Sequence, residues 1–254
     1  MTIAILSALP EEQQGFSSVL THRSTISHAG RSFICGTFAN QSVVLALSGI
    51  GKVAAATTTA ALIERFGAQQ IIFTGVAGGI GPDVQVGDVV VAQHFVQHDM
   101  DVRPLFPRWQ VPGYTSPLFA CDAQLHQGLL EAATACVQEA PTWQLPLLQD
   151  RIPKAHVGLI ASGDQFIVAA SVAETIHRDL LTEGHRVLAV EMEGAAIAQT
   201  CADYGKPFAA VRTISDRADE QAHVDFPAFV QSVASRYAHH IVMGLLKTTF
   251  KSTN

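Results

Sequence analysis

VLAVEMEGAAIAQ, residues 187–199, joins an apolar run to two acids and then to a helix-like pattern. Val187-Leu188-Ala189-Val190 reads as a buried strand, since it leaves no polar face for solvent. Glu191 and Glu193 follow at once, separated only by Met192. Burying charge costs several kcal/mol unless a partner or a task compensates. A strand that ends in carboxylates and turns straight into a helix points to the carboxyl edge of an α/β sheet, where such folds gather their ligands.

The same alternation runs along the chain. Strands are predicted at 3–7, 32–38, 42–47, 70–74, 88–92, 156–161, 186–190 and 208–212, and helices near 11–21, 52–66, 122–138, 168–182, 193–204 and 226–247. This order argues for α/β architecture with a largely parallel sheet. The last helix has one apolar face, with Phe226, Phe229, Val230, Val233, Tyr237, Ile241 and Leu245 at three- and four-residue steps. Residues 94–120, rich in proline and aromatics, break the rhythm and read as a long ordered loop or flap. Neither this loop nor 140–153 has the composition of a flexible linker, so residues 1–254 are expected to form one domain.

Composition narrows the function classes. A net charge of −6 with scattered Lys and Arg argues against a nucleic-acid partner. No window is long and apolar enough to span a membrane. The four cysteines, Cys35, Cys121, Cys136 and Cys201, form no C-x-x-C pair and read as reduced thiols of a cytoplasmic protein. MTIAILSALPEE lacks a basic leading region and reads as a first strand, not a signal peptide.

Two glycine-rich stretches follow strands. Ser48-Gly49-Ile50-Gly51-Lys52 fails as a phosphate loop, because Ala46 stands where the first glycine belongs and Val53 where a hydroxyl is needed. Thr74-Gly75-Val76-Ala77-Gly78-Gly79-Ile80-Gly81 leads to Pro82 and not to a helix, which excludes a dinucleotide fingerprint. Close backbone approach to a small ligand and a tight turn remain open for it.

Acids recur at strand ends: Glu11 and Glu12 after Pro10, Glu191 and Glu193, and Asp216. One alone is explained by a helix dipole, worth about 0.3–1 kcal/mol. Together they suit cleavage of a glycosidic bond, in which one carboxyl protonates the leaving group and another activates water. Nearby anions also stabilise the cationic sugar. His98-Asp99-Met100-Asp101, His94 and the pair His239-His240 match no standard metal-ligand spacing. His98 and Asp101 are expected to order the flap, and Trp109 and Tyr114 to lie at an interface or cover.

Seven motifs then occur in order. They are Ala8-Leu9-Pro10-Glu11-Glu12, Ser48-Gly49-Ile50-Gly51-Lys52-Val53, Thr74 to Gly79, Val86-Gly87-Asp88, Ser162-Gly163-Asp164-Gln165-Phe166, Val190-Glu191-Met192-Glu193 and Arg212-Thr213-Ile214-Ser215-Asp216. With them the chain resembles the 5′-methylthioadenosine/S-adenosylhomocysteine nucleosidases of the nucleoside phosphorylase superfamily. The resemblance implies a three-layer sandwich with a central mixed, largely parallel sheet flanked by helices. It implies hydrolysis of the N-glycosidic bond, with no cofactor and no metal.

The resemblance gives Glu12 the activation of water and Asp216 the protonation of adenine N7, which demands a carboxyl of raised pKa. Glu193 would grip the ribose hydroxyls, ionised with help from a helix dipole, and Met192 would lie against the ribose face. Arg212 would sit near the water and the ribose. For Glu191 the residues leave two readings, pairing with Arg212 from behind, which is preferred, and direct chemistry. Phe166 and Ile167 would hold the base, Phe226 would form a second wall, and Ile50 would meet the 5′ substituent. Leu105, Phe106 and Pro112 would cross a homodimer interface to cover the neighbour's site.

Two departures stand out: Val76 replaces a common serine, and the flap diverges after Val102. Ile71-Ile72-Phe73-Thr74 lacks the arginine that phosphorylases of the superfamily carry there, so water is the expected nucleophile. A hydrolase for another 5′-substituted adenosine, such as aminofutalosine, and a non-catalytic nucleoside-binding protein are the alternatives.

Overall fold

The computed structural model describes residues 1–145, 148, 151–220, 222, 226 and 229–251, with the side chains of 249–251 left aside. Its strands are β1 (Thr2–Ser7), β2 (Thr21–His28), β3 (Arg31–Phe38), β4 (Gln41–Leu47), β5 (Gln70–Gly79), β6 (Val89–Gln97), β7 (Leu118–Ala120), β8 (Ala155–Ser162), β9 (Val187–Glu191) and β10 (Phe208–Asp216). Its helices are α1 (Lys52–Glu64), α2 (Ala123–Glu139), α3 (Ala170–Thr182), α4 (Gly194–Asp203) and α5 (Ser235–Lys251).

The strands form a mixed sheet. β1 pairs in parallel with β4 and β5, β5 with β10, β6 with β8, and β8 with β9. Antiparallel pairs add β2 and β3 at one edge and join β10 to β6. A short antiparallel crossing, Gly78 with Val190 and Gly79 with Ala189, joins β5 to β9. Strands β5, β10, β6, β8 and β9 therefore close on themselves. The crossing involves the last residues of β5 and β9, so their carboxyl ends meet.

Side-chain alternation builds the layers. Ile3, Ile5, Ile72, Val89, Val91, Ala209 and Val211 pack in one core with buried faces of α2 and α5. Ala4, Leu6, Ile71, Phe73, Val90, Phe208 and Ala210 pack on the other side with α1 and α4. The expected mixed sheet flanked by helices is the architecture found.

Several local expectations differ. Residues 11–21 form two short 3-10 turns, Pro10–Gln13 and Phe16–Val19. Gly15 lies between them at φ 86, a left-handed conformation that interrupts an α-helix. β2 has no burial signal, because all its residues are exposed. β7 falls within the expected loop. The stretch 75–79 is not a turn but the end of β5. The helix expected over 226–247 contains a wider π turn at Val230–Ala234 before α5, and residues 223–225, 227 and 228 lie outside the described set.

Candidate functional site

A cavity of about 430 Å³ opens at the carboxyl ends of β1, β5, β9 and β10. Glu12, Ile50, Val76, Phe166, Ile167, Met192, Glu193, Asp216 and Phe226 all line it. Leu105, Phe106 and Pro112 do not line it; all three are exposed on the flap, Leu105 at 80%. Arg212 does not line it either. It is fully buried on β10, with its guanidinium 3.6 Å from the centroid of the Phe73 ring.

Glu12 reaches inward from the turn after β1. Its Oε2 accepts from Ala8 N–H at 2.8 Å and Leu9 N–H at 2.9 Å, and its Oε1 from Val76 N–H at 3.1 Å. Burial raises its pKa above the ordinary glutamate value, against the lowering pull of Arg212 and these three N–H groups. Gly75 makes this packing possible: a Cβ there would fall on Arg212 Nη1 and Glu12 Oε1. The glycine therefore serves close approach of charged side chains.

The two acids at the junction of β9 and α4 divide their work in an order that local sequence does not reveal. Glu191, not Glu193, takes the amino end of α4. Its oxygens accept from Glu193 N–H at 3.2 Å and from Gly194 N–H at 2.8 and 3.0 Å. It also accepts from Arg212 Nη2 and the Ser162 hydroxyl. Ser162 Oγ in turn accepts from Ala195 N–H at 2.7 Å.

Glu193 instead crosses to the segment after β4, where its Oε1 accepts from Gly51 N–H at 2.8 Å; its Oε2 lies 3.4 Å from Arg212 Nη2. Burial raises its pKa, and the Glu191 charge adds to that, against Arg212 and the Gly51 N–H. The expectation that a helix dipole holds Glu193 ionised is thus corrected. Its side chain does not cap α4, and its surroundings favour the neutral form.

Asp216 ends β10 opposite Gly78. Its Oδ2 accepts from the Ser215 hydroxyl at 2.7 Å and its Oδ1 from Ala218 N–H at 2.8 Å, which orients the carboxyl at the cavity wall. Phe166 and Phe226 meet edge to face with centroids 5.9 Å apart, making an aromatic wall of the cavity against which a flat ring can pack. Ser162, Ser215, Ala8, Leu9 and Gln165 also shape the site. The sequence showed them only as motif members; for Ser162 and Ser215, a short polar side chain beside an apolar run has no periodicity to mark it.

Elsewhere, among the described residues, no three His, Cys, Asp or Glu side chains converge as a metal set. Asp101 pairs with Arg103 on the flap. Trp109 is buried in its own chain, its Nε1–H donating to His98 O at 3.1 Å, and so is core where an interface or cover residue was expected. Tyr114 packs edge-on to Phe119 and bonds Asp203. The four cysteines are free, and burial pushes Cys121, Cys136 and Cys201 up to about 12. No described helix is long and apolar enough to cross a membrane.

Residues 2–247 match the family model of the phosphorylase superfamily. A 5′-methylthioadenosine/S-adenosylhomocysteine nucleosidase from Anoxybacillus flavithermus is 37% identical over 235 residues, 92% of this chain and 93% of the relative. The Neisseria meningitidis nucleosidase of that name, solved with methylthio-immucillin-A, superposes with a TM-score of 0.84 at 35% identity, covering 97% of this chain and 99% of the other. The futalosine hydrolase of Helicobacter pylori superposes with a TM-score of 0.81 at 31% identity, covering 98% of each chain.

Proposed function

This chain belongs to the phosphorylase superfamily and, within it, to the 5′-methylthioadenosine/S-adenosylhomocysteine nucleosidases, and from that premise we propose how it hydrolyses the N-glycosidic bond of 5′-methylthioadenosine and S-adenosylhomocysteine. The observation that carries the mechanism is the convergence of Glu12, Glu193 and Asp216 on one cavity, beside an aromatic wall.

The base packs against Phe166, with Phe226 as a second wall and Ile167 beside it. Asp216 gives a proton to adenine N7, so the C1′–N9 bond breaks with its electron pair drawn into the purine. The ribose gains oxocarbenium character, which the surrounding carboxylates stabilise. Glu12 takes a proton from water as the oxygen attacks C1′. Its raised pKa makes it a stronger base than an exposed glutamate. Adenine and the 5′-thio-ribose leave.

Glu193 holds the ribose hydroxyls and Met192 packs on the sugar. Val76 lends its N–H to Glu12 and an apolar side chain to the wall. Arg212 acts from beneath, tying Glu191 and Glu193 while lowering the cost of Glu12's charge. No step needs a cofactor or a metal.

Ile50 meets the 5′ substituent at the mouth. Ile50 is 59% exposed and Leu105 80% exposed, which suits a homodimer in which the partner's flap, with Leu105, Phe106 and Pro112, covers this end. Four free thiols suit a reducing cytoplasmic setting. The open 5′ end also admits a bulkier group, and the likeness to a futalosine hydrolase makes aminofutalosine the second substrate to try. Adenine release from the methylthio, homocysteinyl and aminofutalosine nucleosides, compared as kcat/KM, tests both readings. The highest value for one of the two thio-nucleosides supports the first, and binding without release of adenine overturns both.

A further inference from the structure

Two segments border the mouth of the cavity, residues 49–51 after β4 and 163–167 after β8. Lys52 ties both to residues 97–99 at the end of β6, which lie behind the cavity wall. Lys52 Nζ donates to Asp99 Oδ1 at 2.6 Å and to Gln97 Oε1 at 3.0 Å. Its backbone N–H donates to Asp164 Oδ1 at 2.8 Å. Asp164 N–H closes the triangle by donating to Asp99 Oδ2 at 2.9 Å. Gln97 Nε2 anchors the group to α4 through Gln199 Oε1 at 2.8 Å.

We propose that Lys52 is a positioning residue: its ammonium group holds Gln97 and Asp99, its N–H holds Asp164, and Asp99 in turn holds the Asp164 N–H, so that Lys52 sets the places of Ile50, Gly51 and Phe166 around the substrate. The inference rests on the nucleosidase reading of the cavity. Packing alone gives those walls little support, since Ile50 is 59% and Phe166 49% exposed. The core of the clasp is better protected: the Lys52 and Asp99 side chains are 15% and 28% exposed, while Asp164 lies at the surface. Burial draws the Asp99 carboxyl up, but the Lys52 ammonium and the Asp164 N–H outweigh it and leave it below the ordinary carboxylate value. Gly51, adjacent to Lys52, supplies the N–H that Glu193 accepts, so movement of this segment displaces a ribose-binding carboxylate. Lys52 itself is absent from the cavity wall, so its effect reaches substrate through its neighbours.

The test measures adenine release and amide hydrogen exchange on the full chain. Lys52→Met should raise KM about tenfold with kcat within about twofold, the pattern of lost ground-state binding. Exchange at the Asp164 and Lys52 amides should quicken about tenfold as the loops open locally. Lys52→Arg should restore both. If Lys52→Met fails to fold, Asp99→Asn, which removes the charge and keeps the size, takes its place with the same expected pattern. Wild-type KM and wild-type local exchange in the variant overturn the proposal. So does an equal loss of kcat and thermal stability with local exchange unchanged. A wild-type chain that releases no adenine overturns the nucleosidase reading instead, and the exchange measurement still judges the clasp.

Discussion

At the start of β6, Asp88 is fully buried, and both its oxygens are matched. Arg151 Nη2 and Lys154 N–H reach Oδ1 at 2.8 and 2.9 Å, while His156 Nε2 and Gln85 N–H lie 2.9 and 3.1 Å from Oδ2. At the cavity the arrangement is different. Glu12, Glu191 and Glu193 are all buried around one guanidinium, that of Arg212, and Glu12 and Glu193 are pushed toward their neutral forms. The first cluster gives one buried carboxylate a set of donors and thereby ties 85–88 to 151–156. The second holds more carboxylate than its single cation can compensate. Excess buried charge of this kind favours a cationic transition state and proton transfer, at some cost in stability.

The contrast predicts opposite signatures. Removing a reacting group should have the largest effect. Asp216→Asn and Glu12→Gln should each lower kcat about 10²–10⁴-fold. Asp216→Asn should still bind adenine by calorimetry, whereas a wild-type rate in that variant would remove Asp216 as the acid.

Asp88→Ala should leave buried donors unmatched and cost about 3–5 kcal/mol in urea unfolding. The folded fraction should keep wild-type kcat. A loss of turnover without a loss of stability would collapse the distinction between the two clusters.

Glu193→Gln should weaken substrate binding yet stabilise the fold. The folded-state pKa of Glu193 is raised, so its contribution is fully present below the unfolded pKa and is lost as pH rises through the folded pKa. Neutralising it should therefore raise stability at pH 7, by about 1.4 kcal/mol for each tenfold by which folding disfavours its ionisation. The gain should vanish at pH values below the ordinary glutamate pKa, where Glu193 is protonated in both states. A lower melting temperature at pH 7 would show that Glu193 is compensated after all.

The smallest effect is a displacement of the pH profile. Glu12 must be ionised to accept a proton, and its pKa is raised, so the acid limb of kcat/KM should lie above the ordinary glutamate range. A limb at the ordinary value would mean that another group limits the rate.

Much of this was legible in the residues. Apolar runs such as Ile3 to Ser7 and Val187 to Val190 mark strands, because burial on both faces leaves a continuous apolar signature. Acids at strand ends marked the edge that holds the cavity. β2 was not legible, since an exposed polar edge strand carries no such signature.

The glycine run at 75–79 was open to two readings. Its meaning depends on Arg212 and Glu12, which approach Gly75 from elements distant in sequence. The division of labour between Glu191 and Glu193 was hidden for the same reason. The two lie two residues apart, and only their partners distinguish them: Ser162 and the α4 amides for one, Gly51 for the other.

The sequence by itself determined the α/β alternation, the family and the acids available for chemistry, because these depend on local periodicity and on motif order. The tertiary structure decided which acid caps a helix, which faces the cavity and how many share one arginine. Those depend on the crossing of β5 with β9, which brings strand ends far apart along the chain within hydrogen-bonding distance.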